Sequence, residues 1–261
     1  MFNSIYTLFQ RMYGFISRLI YTFFRLQQNI DDIKVLHGKL LETMSLNKVD
    51  IILANIQNAE FKIFSQWGDD GIISFLVVYL EIDCKVFIEF GVEDYTESNT
   101  RLLLKKNNWR GMVMDGSKKN IKRIKKDNIY WQHELLAEEI FITRENINAI
   151  INDSGFYGEI GLLHIDIDGN DYWIWKEIDV IKPIIVIVEY NSVFAADKAW
   201  TVPYDPLFVR SKAHHSCLFY GASLKALVQL GAAKGYSLIG SNSNGNNAYF
   251  VRNDRMKDLE P

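Results

Sequence analysis

Cysteine is scarce in this sequence: Cys84 and Cys217 are the only two, and neither sits in a Cys-x-x-Cys or a Cys/His cluster. That excludes a disulfide framework and a zinc site of recognisable spacing, and it suits a reducing, cytoplasmic setting. Four prolines leave little to interrupt regular elements. A strong excess of positive charge is also missing. Twenty-nine Lys and Arg face 32 Asp and Glu, a net charge of −3, which argues against a nucleic-acid partner. There is no Walker A loop, so ATP chemistry by that route is not expected. No Ser/His/Asp or Cys/His arrangement points to covalent catalysis.

What is present is ordinary globular usage, 48% hydrophobic and 23% charged over 261 residues, enough for a sizeable core. Residues 1–26 differ from the rest. Phe2, Ile5, Leu8, Phe9, Met12, Phe15, Ile16, Leu19, Ile20, Phe23 and Phe24 are apolar, and the only charged side chains are Arg11, Arg18 and Arg25. Seven-residue spacing puts those arginines in one stripe of a helix. A basic stripe beside an aromatic face fits a helix lying on an anionic membrane surface. A helix packed on its own domain or on a second subunit leaves the same pattern. The arginines interrupt every apolar run before it reaches the ~18 residues of a membrane span, and no signal-peptide pattern is visible. Residues 30–57 continue as a mixed helical stretch, with Ile30, Ile33, Leu40, Met44, Ile51 and Ile52 as candidate contacts. The expected organisation is a helical arm over 1–60 and a single domain over 61–261.

From residue 65 onward, short apolar runs alternate with helical patterns, the mark of a parallel sheet with crossover helices. Strands are expected at Val86–Glu89, Met112–Met114, Ile129–Trp131, Leu162–Ile167 and Ile184–Glu189. Their continuous β-branched runs suit burial on both faces. Helices are expected near 69–80, 98–107, 117–126, 144–152 and 170–178, with another over 223–234. Tyr236–Gly240 and Ala248–Val251 flank Asn242-Ser243-Asn244-Gly245, a hairpin signal. The fold class is therefore α/β: a Rossmann-like, mostly parallel sheet that ends in an antiparallel hairpin strand.

Four segments carry a chemistry. Phe87-Ile88-Glu89-Phe90-Gly91-Val92-Glu93-Asp94 is a strand ending in an acid and a glycine turn. Such a turn lets backbone N–H groups approach a ligand. Val113-Met114-Asp115-Gly116-Ser117 places an acid 26 residues after Glu89, where a carboxylate can accept both ribose hydroxyls. Ile165-Asp166-Ile167-Asp168-Gly169-Asn170-Asp171 crowds three acids at a strand end. Such crowding is costly unless a cation or donor-rich group sits there, although Asp168 or Asn170 can also cap the next helix. Val188-Glu189-Tyr190-Asn191 ends the last expected parallel strand.

Together these segments resemble class I S-adenosylmethionine-dependent methyltransferases, most closely their FkbM-like branch of polysaccharide and natural-product pathways. The resemblance spans roughly residues 60–253 and departs from the family in lacking the usual second glycine after Gly91. It implies S-adenosylmethionine as cofactor, with Glu89, Gly91, Glu93, Asp115, Gly116, Ser117 and Asp166 around it. Ser65-Gln66-Trp67-Gly68-Asp69-Asp70-Gly71 resembles a further family element and implies Gln66 and Asp70 near the methionine end. By analogy with catechol-type members, Asp166, Glu189 and Asn191 are candidate ligands for Mg²⁺.

The long segment over about 190–221 contains Phe194, Trp200, Tyr204, His214, His215 and Tyr220 and reads as a lid over an acceptor pocket. His214 and His215 are candidate general bases because His titrates near neutrality; Asp166 competes for that role. The family resemblance implies a small polar acceptor, a sugar or sugar-linked group of a surface polysaccharide, with O- against N-methylation open. Three rival readings stand beside this one. Asp166-x-Asp168 matches the Asp-x-Asp of a metal-dependent glycosyltransferase. A non-catalytic, membrane-docked relative would retain the fold alone. An NAD-dependent oxidoreductase lacks its G-x-G-x-x-G fingerprint at Gly91.

Overall fold

A computed structural model describes residues 2–195 and 197–260. The side chains of Phe2, Ile5, Leu8 and Phe9 lie outside that description.

The expected arm is one continuous helix, α1 (Phe2–Leu46), followed by the short α2 (Val49–Ala54). Its C-terminal half is bolted to the domain. Asp31 pairs with Arg101 and Lys105, and Glu42 with Lys106. Gly38 permits the close approach, since a Cβ there would already meet Leu102 Cδ1 at 3.3 Å. Ile52, Ile56 and Ala59 join the main apolar core, so packing is continuous through residue 60. No helix among the described residues is long and apolar enough to cross a membrane.

The domain alternates α3 (Asp69–Tyr79), β1 (Val86–Phe90), α4 (Arg101–Asn107), β2 (Arg110–Asp115), α5 (Lys118–Ile124) and α6 (Asn128–Gln132). It continues with β3 (Leu135–Glu139), α7 (Ile147–Ser154), β4 (Gly158–Ile165), α8 (Asp171–Glu177) and β5 (Ile181–Glu189). After the long segment come α9 (Arg210–Ala213), α10 (Leu224–Lys234), β6 (Tyr236–Ser241) and β7 (Asn247–Arg252). The sheet runs β3-β2-β1-β4-β5-β7-β6. β7 is the reversed strand, antiparallel to both β5 and β6. This is a Rossmann-like sheet finished by an antiparallel hairpin, as expected.

Period-two alternation splits the core between the two faces of the sheet. Phe87, Val113, Leu162 and Ile187 pack under α3 and α4, while Ile88, Met114, Leu163 and Val188 pack under α7, α8 and α10. One strand was misplaced. Ile129–Trp131 is not a strand but part of α6, opened by Asp127, whose Oδ1 accepts from the Ile129 N–H at 2.9 Å. The third strand is Leu135–Glu139, paired parallel to β2. Helix α4 starts later than expected because Ser98, Asn99 and Thr100 bond to Glu89 instead of continuing the helix.

Candidate functional site

A cleft of about 420 Å³ opens across the C-terminal ends of β1, β2, β4 and β5, the usual ligand position in an open α/β sheet. Gln66, Glu89, Gly91, Glu93, Asp115, Gly116, Asp166 and Glu189 all line it.

Gly91 shows why the first turn needs glycine. Its φ is +71°, and a Cβ there would lie 1.5 Å from the Asp166 carbonyl oxygen. β1 and β4 therefore deliver their terminal loops into direct contact. Beneath them Glu89 is fully enclosed. Its carboxylate accepts from Ser98 Oγ, the Asn99 and Thr100 N–H groups and Thr100 Oγ1. His164 Nδ1 lies 2.9 Å from its Oε1. Burial pushes the Glu89 carboxyl up, but His164, Ser98 and Thr100 outweigh it and hold the pKa below its ordinary value. Burial pushes His164 down, and Glu89 outweighs that and raises it. The two form a buried ion pair, and the Asn99 side-chain amide lies 3.2 Å from the other ring nitrogen, Nε2. Glu89 thus anchors the 91–100 loop as well as lining the cleft.

At the end of β2, Asp115 accepts from the Glu93 and Ser117 N–H groups and from Asn120 Nδ2. Three of roughly four lone-pair directions are taken, so one hydroxyl suits Asp115 itself. The carboxylate of Glu93, on the same wall, is placed to serve a second.

The opposite wall holds buried oxygens that lack any donor. Asp69 Oδ2, Asn170 Oδ1, Glu189 Oε2 and Asn247 Oδ1 are buried without a hydrogen-bond partner, and all four residues line the cleft. Asp69 is held rigidly, its Oδ1 accepting from Asn242, Asn247 and Tyr249. A buried acceptor without a donor is destabilising, so this wall is built for a ligand rich in N–H donors or positive charge.

Asp166, Asp168 and Glu189 bring carboxylate oxygens within 4.8 Å of one another. Burial, then Asp168, outweigh His164 and push the Asp166 carboxyl up to about 6. Burial, then Asp166, push Asp171 up to about 7. Burial and the neighbouring acids hold Glu189 well above the usual range. Arg210 partly answers this charge: its Nη1 lies 2.6 Å from Asp168 Oδ1 and 3.8 Å from Glu189 Oε1. The guanidinium stacks 3.5 Å over the Tyr220 ring. It stands where a cation would bind between Asp168 and Glu189.

Several expected site residues lie elsewhere. Asp70 is buried behind the wall, its Oδ2 accepting from the Ile63, Phe64 and Ser65 N–H groups, so it closes a turn. Ser117 caps α5 through Asn120. Asn191 does not join the acid trio. Its Nδ2 donates to Leu218 and Tyr220 carbonyls and its Oδ1 accepts from Val193, so the side chain braces the following loop. His214 and His215 are exposed, stacked on each other at 4.1 Å, and outside the cleft wall. The long segment instead contributes Phe208 and Arg210 to the cleft. Asp171, not Asp168 or Asn170, closes the β4–α8 turn by accepting from the Ile167 and Gly169 N–H groups.

No protein-family model matches the sequence, and no curated protein does. Among solved structures, the chain is similar to an O-methyltransferase from Bacillus cereus in complex with SAH, at 13% identity and a TM-score of 0.47, over 80% of this chain and 91% of that one. An S-adenosylmethionine-dependent methyltransferase from Clostridium acetobutylicum aligns at 10% identity and a TM-score of 0.43, over 79% and 98%. An O-methyltransferase family protein from Burkholderia thailandensis aligns at 10% and 0.43, over 84% and 71%.

Proposed function

We propose that this chain is an S-adenosylmethionine-dependent methyltransferase acting on a small polar acceptor, with a sugar or sugar substituent of a surface polysaccharide as the expected class. The observation that carries the reading is the acceptor-only wall of the cleft. Four residues of this wall each carry a buried oxygen without a donor, and the cleft is lined by nine acids and one arginine among the described residues. S-adenosylmethionine carries an ammonium, a sulfonium and a ribose diol, which are the groups such a wall lacks. Asp115 and Glu93 suit the diol, and Asp69, Asn170 and Asn247 suit the ammonium.

When bound, the cofactor supplies a methyl group already activated on sulfur. The chain's task is to hold the acceptor in line and to manage its proton. Asp166, with its carboxyl pushed up to about 6, is mostly ionised at neutral pH yet basic enough to take a hydroxyl proton. Phe208, seated on Gly169, excludes water from that side. Arg210 supplies a resident cation to this acid cluster through Asp168 and Glu189. The cytoplasm is the expected setting.

Calorimetric titration of the purified chain with S-adenosylmethionine tests the reading, with UDP-sugars and Mn²⁺ run in parallel. Micromolar binding that weakens roughly 10- to 100-fold in Asp115→Ala is expected, as one charge-assisted hydrogen bond contributes roughly 1.5–3 kcal/mol. Mn²⁺-dependent binding of a sugar nucleotide, with none of S-adenosylmethionine, would instead assign Asp166 and Asp168 to a glycosyltransferase.

A further inference from the structure

Helix α1 carries two separate seams. One is docked: Asp31, Val35, Gly38, Glu42 and Ser45 recur at four- and three-residue steps and turn toward the domain. The other recurs with the same steps and is exposed. Its first set is Ile16, Phe23, Ile30, His37 and Met44; its second is Met12, Leu19, Leu26, Ile33 and Leu40. The nine apolar members are 40–66% exposed. The exposure persists along Ile30–Met44, where α1 is fixed to the domain by its other side. The domain therefore does not cover this seam.

We propose that the seam binds a second copy of this chain as a parallel, two-stranded coiled coil. An unbroken alternation of three and four over more than four heptads defines positions a and d. Position a holds Ile16, Phe23, Ile30, His37 and Met44, and Leu dominates d; Ile at a with Leu at d favours two parallel strands. A seven-residue repeat drifts by ~20° per heptad on a straight helix. A flat membrane surface cannot follow that drift, whereas a supercoiling partner does. Arg11, Arg18 and Arg25 fall at position c, outside the seam, and neither set contains an acid. The half-exposed side chains offer on the order of 800 Å² per chain, about what each partner of a standard stable interface contributes. Met12 to Met44 spans about 50 Å of helix.

The test is the mass of the full chain in solution by sedimentation or light scattering. The wild type is expected at twice the chain mass. Leu19→Asp with Leu26→Asp is expected at the chain mass, with an unchanged far-ultraviolet spectrum because both positions are exposed. Leu26→Cys is expected to form a symmetric disulfide under mild oxidation that the wild type, with Cys84 and Cys217, does not form. A monomeric wild type, or a doubled mass that survives the aspartates, overturns the proposal. So does a dimer in which Leu26→Cys fails to cross-link, since the strands are then not parallel and in register. A monomer that co-sediments with phosphatidylserine vesicles also overturns it and assigns the face to lipid.

Discussion

Glu89→Gln is expected to destabilise the fold by roughly 3–5 kcal/mol, because removing one partner strands a buried charge. The pH dependence has two limbs. Glu89 lies below its ordinary 4.5, so its contribution is present above that pH and is lost as pH falls through the lowered value. His164 lies above its ordinary 6.5, so its contribution is full below that pH and is lost as pH rises through the raised value. The pair is thus strongest between those two ordinary values. Denaturant unfolding of wild type and Glu89→Gln across pH 4–9 reads this as a gap that is widest near the middle and narrows at both ends. A gap independent of pH would mean that the ring is neutral and the pair an ordinary hydrogen bond. The Glu89 role is only partly legible from sequence. Its place at a strand end before Gly91 marks it as a site residue, but His164 lies 75 residues away and looks like one more position in an apolar strand.

The strap of residues 205–213, which brings Phe208 and Arg210 to the cleft, packs on Gly169 through Phe208. A Cβ at Gly169 would sit 2.2 Å from Phe208 Cδ1, so Gly169→Ala must displace the Phe208 ring and is expected to loosen α9 and Arg210 with it. Trypsin is expected to cut after Arg210 or Lys212 several-fold faster in the variant, while the melting temperature shifts by only a few degrees, as expected when a peripheral segment opens alone. Equal cleavage rates would show that Phe208 adjusts without moving the strap. Sequence pattern located most elements because the sheet is buried on both faces and its β-branched runs stand out. It failed at β3, an edge strand whose Leu-Leu-Ala-Glu-Glu has helical propensity and takes its conformation from pairing with β2. It failed at Ile129 because the Asp127 cap, with its β-region backbone, turns that run into a helix. The long segment was readable as functional by length. Its two histidines are exposed, and the residues that reach the cleft are Phe208 and Arg210.

At the scale of the molecule, charge is local. The chain carries a net −3, but nine acids line one cleft against Arg210 and His164. The wall of donor-less oxygens brings together Asp69 and Asn247, 178 residues apart, which no local pattern reveals. The strand-end acids Asp115 and Asp166 are readable because the fold itself carries them to the same edge. This concentration of charge has a consequence for the proposed cycle. S-adenosylmethionine is a net cation, and losing its methyl group leaves a neutral thioether, so the field that draws the cofactor in does not hold the product. Affinity for S-adenosylmethionine is therefore expected to fall several-fold between about 0.01 M salt, where the Debye length is ~30 Å, and about 1 M, where it is ~3 Å. Affinity for S-adenosylhomocysteine should change much less over the same range. Parallel salt dependence of the two ligands, measured by titration, would place the sulfonium away from the acids at the ends of β4 and β5.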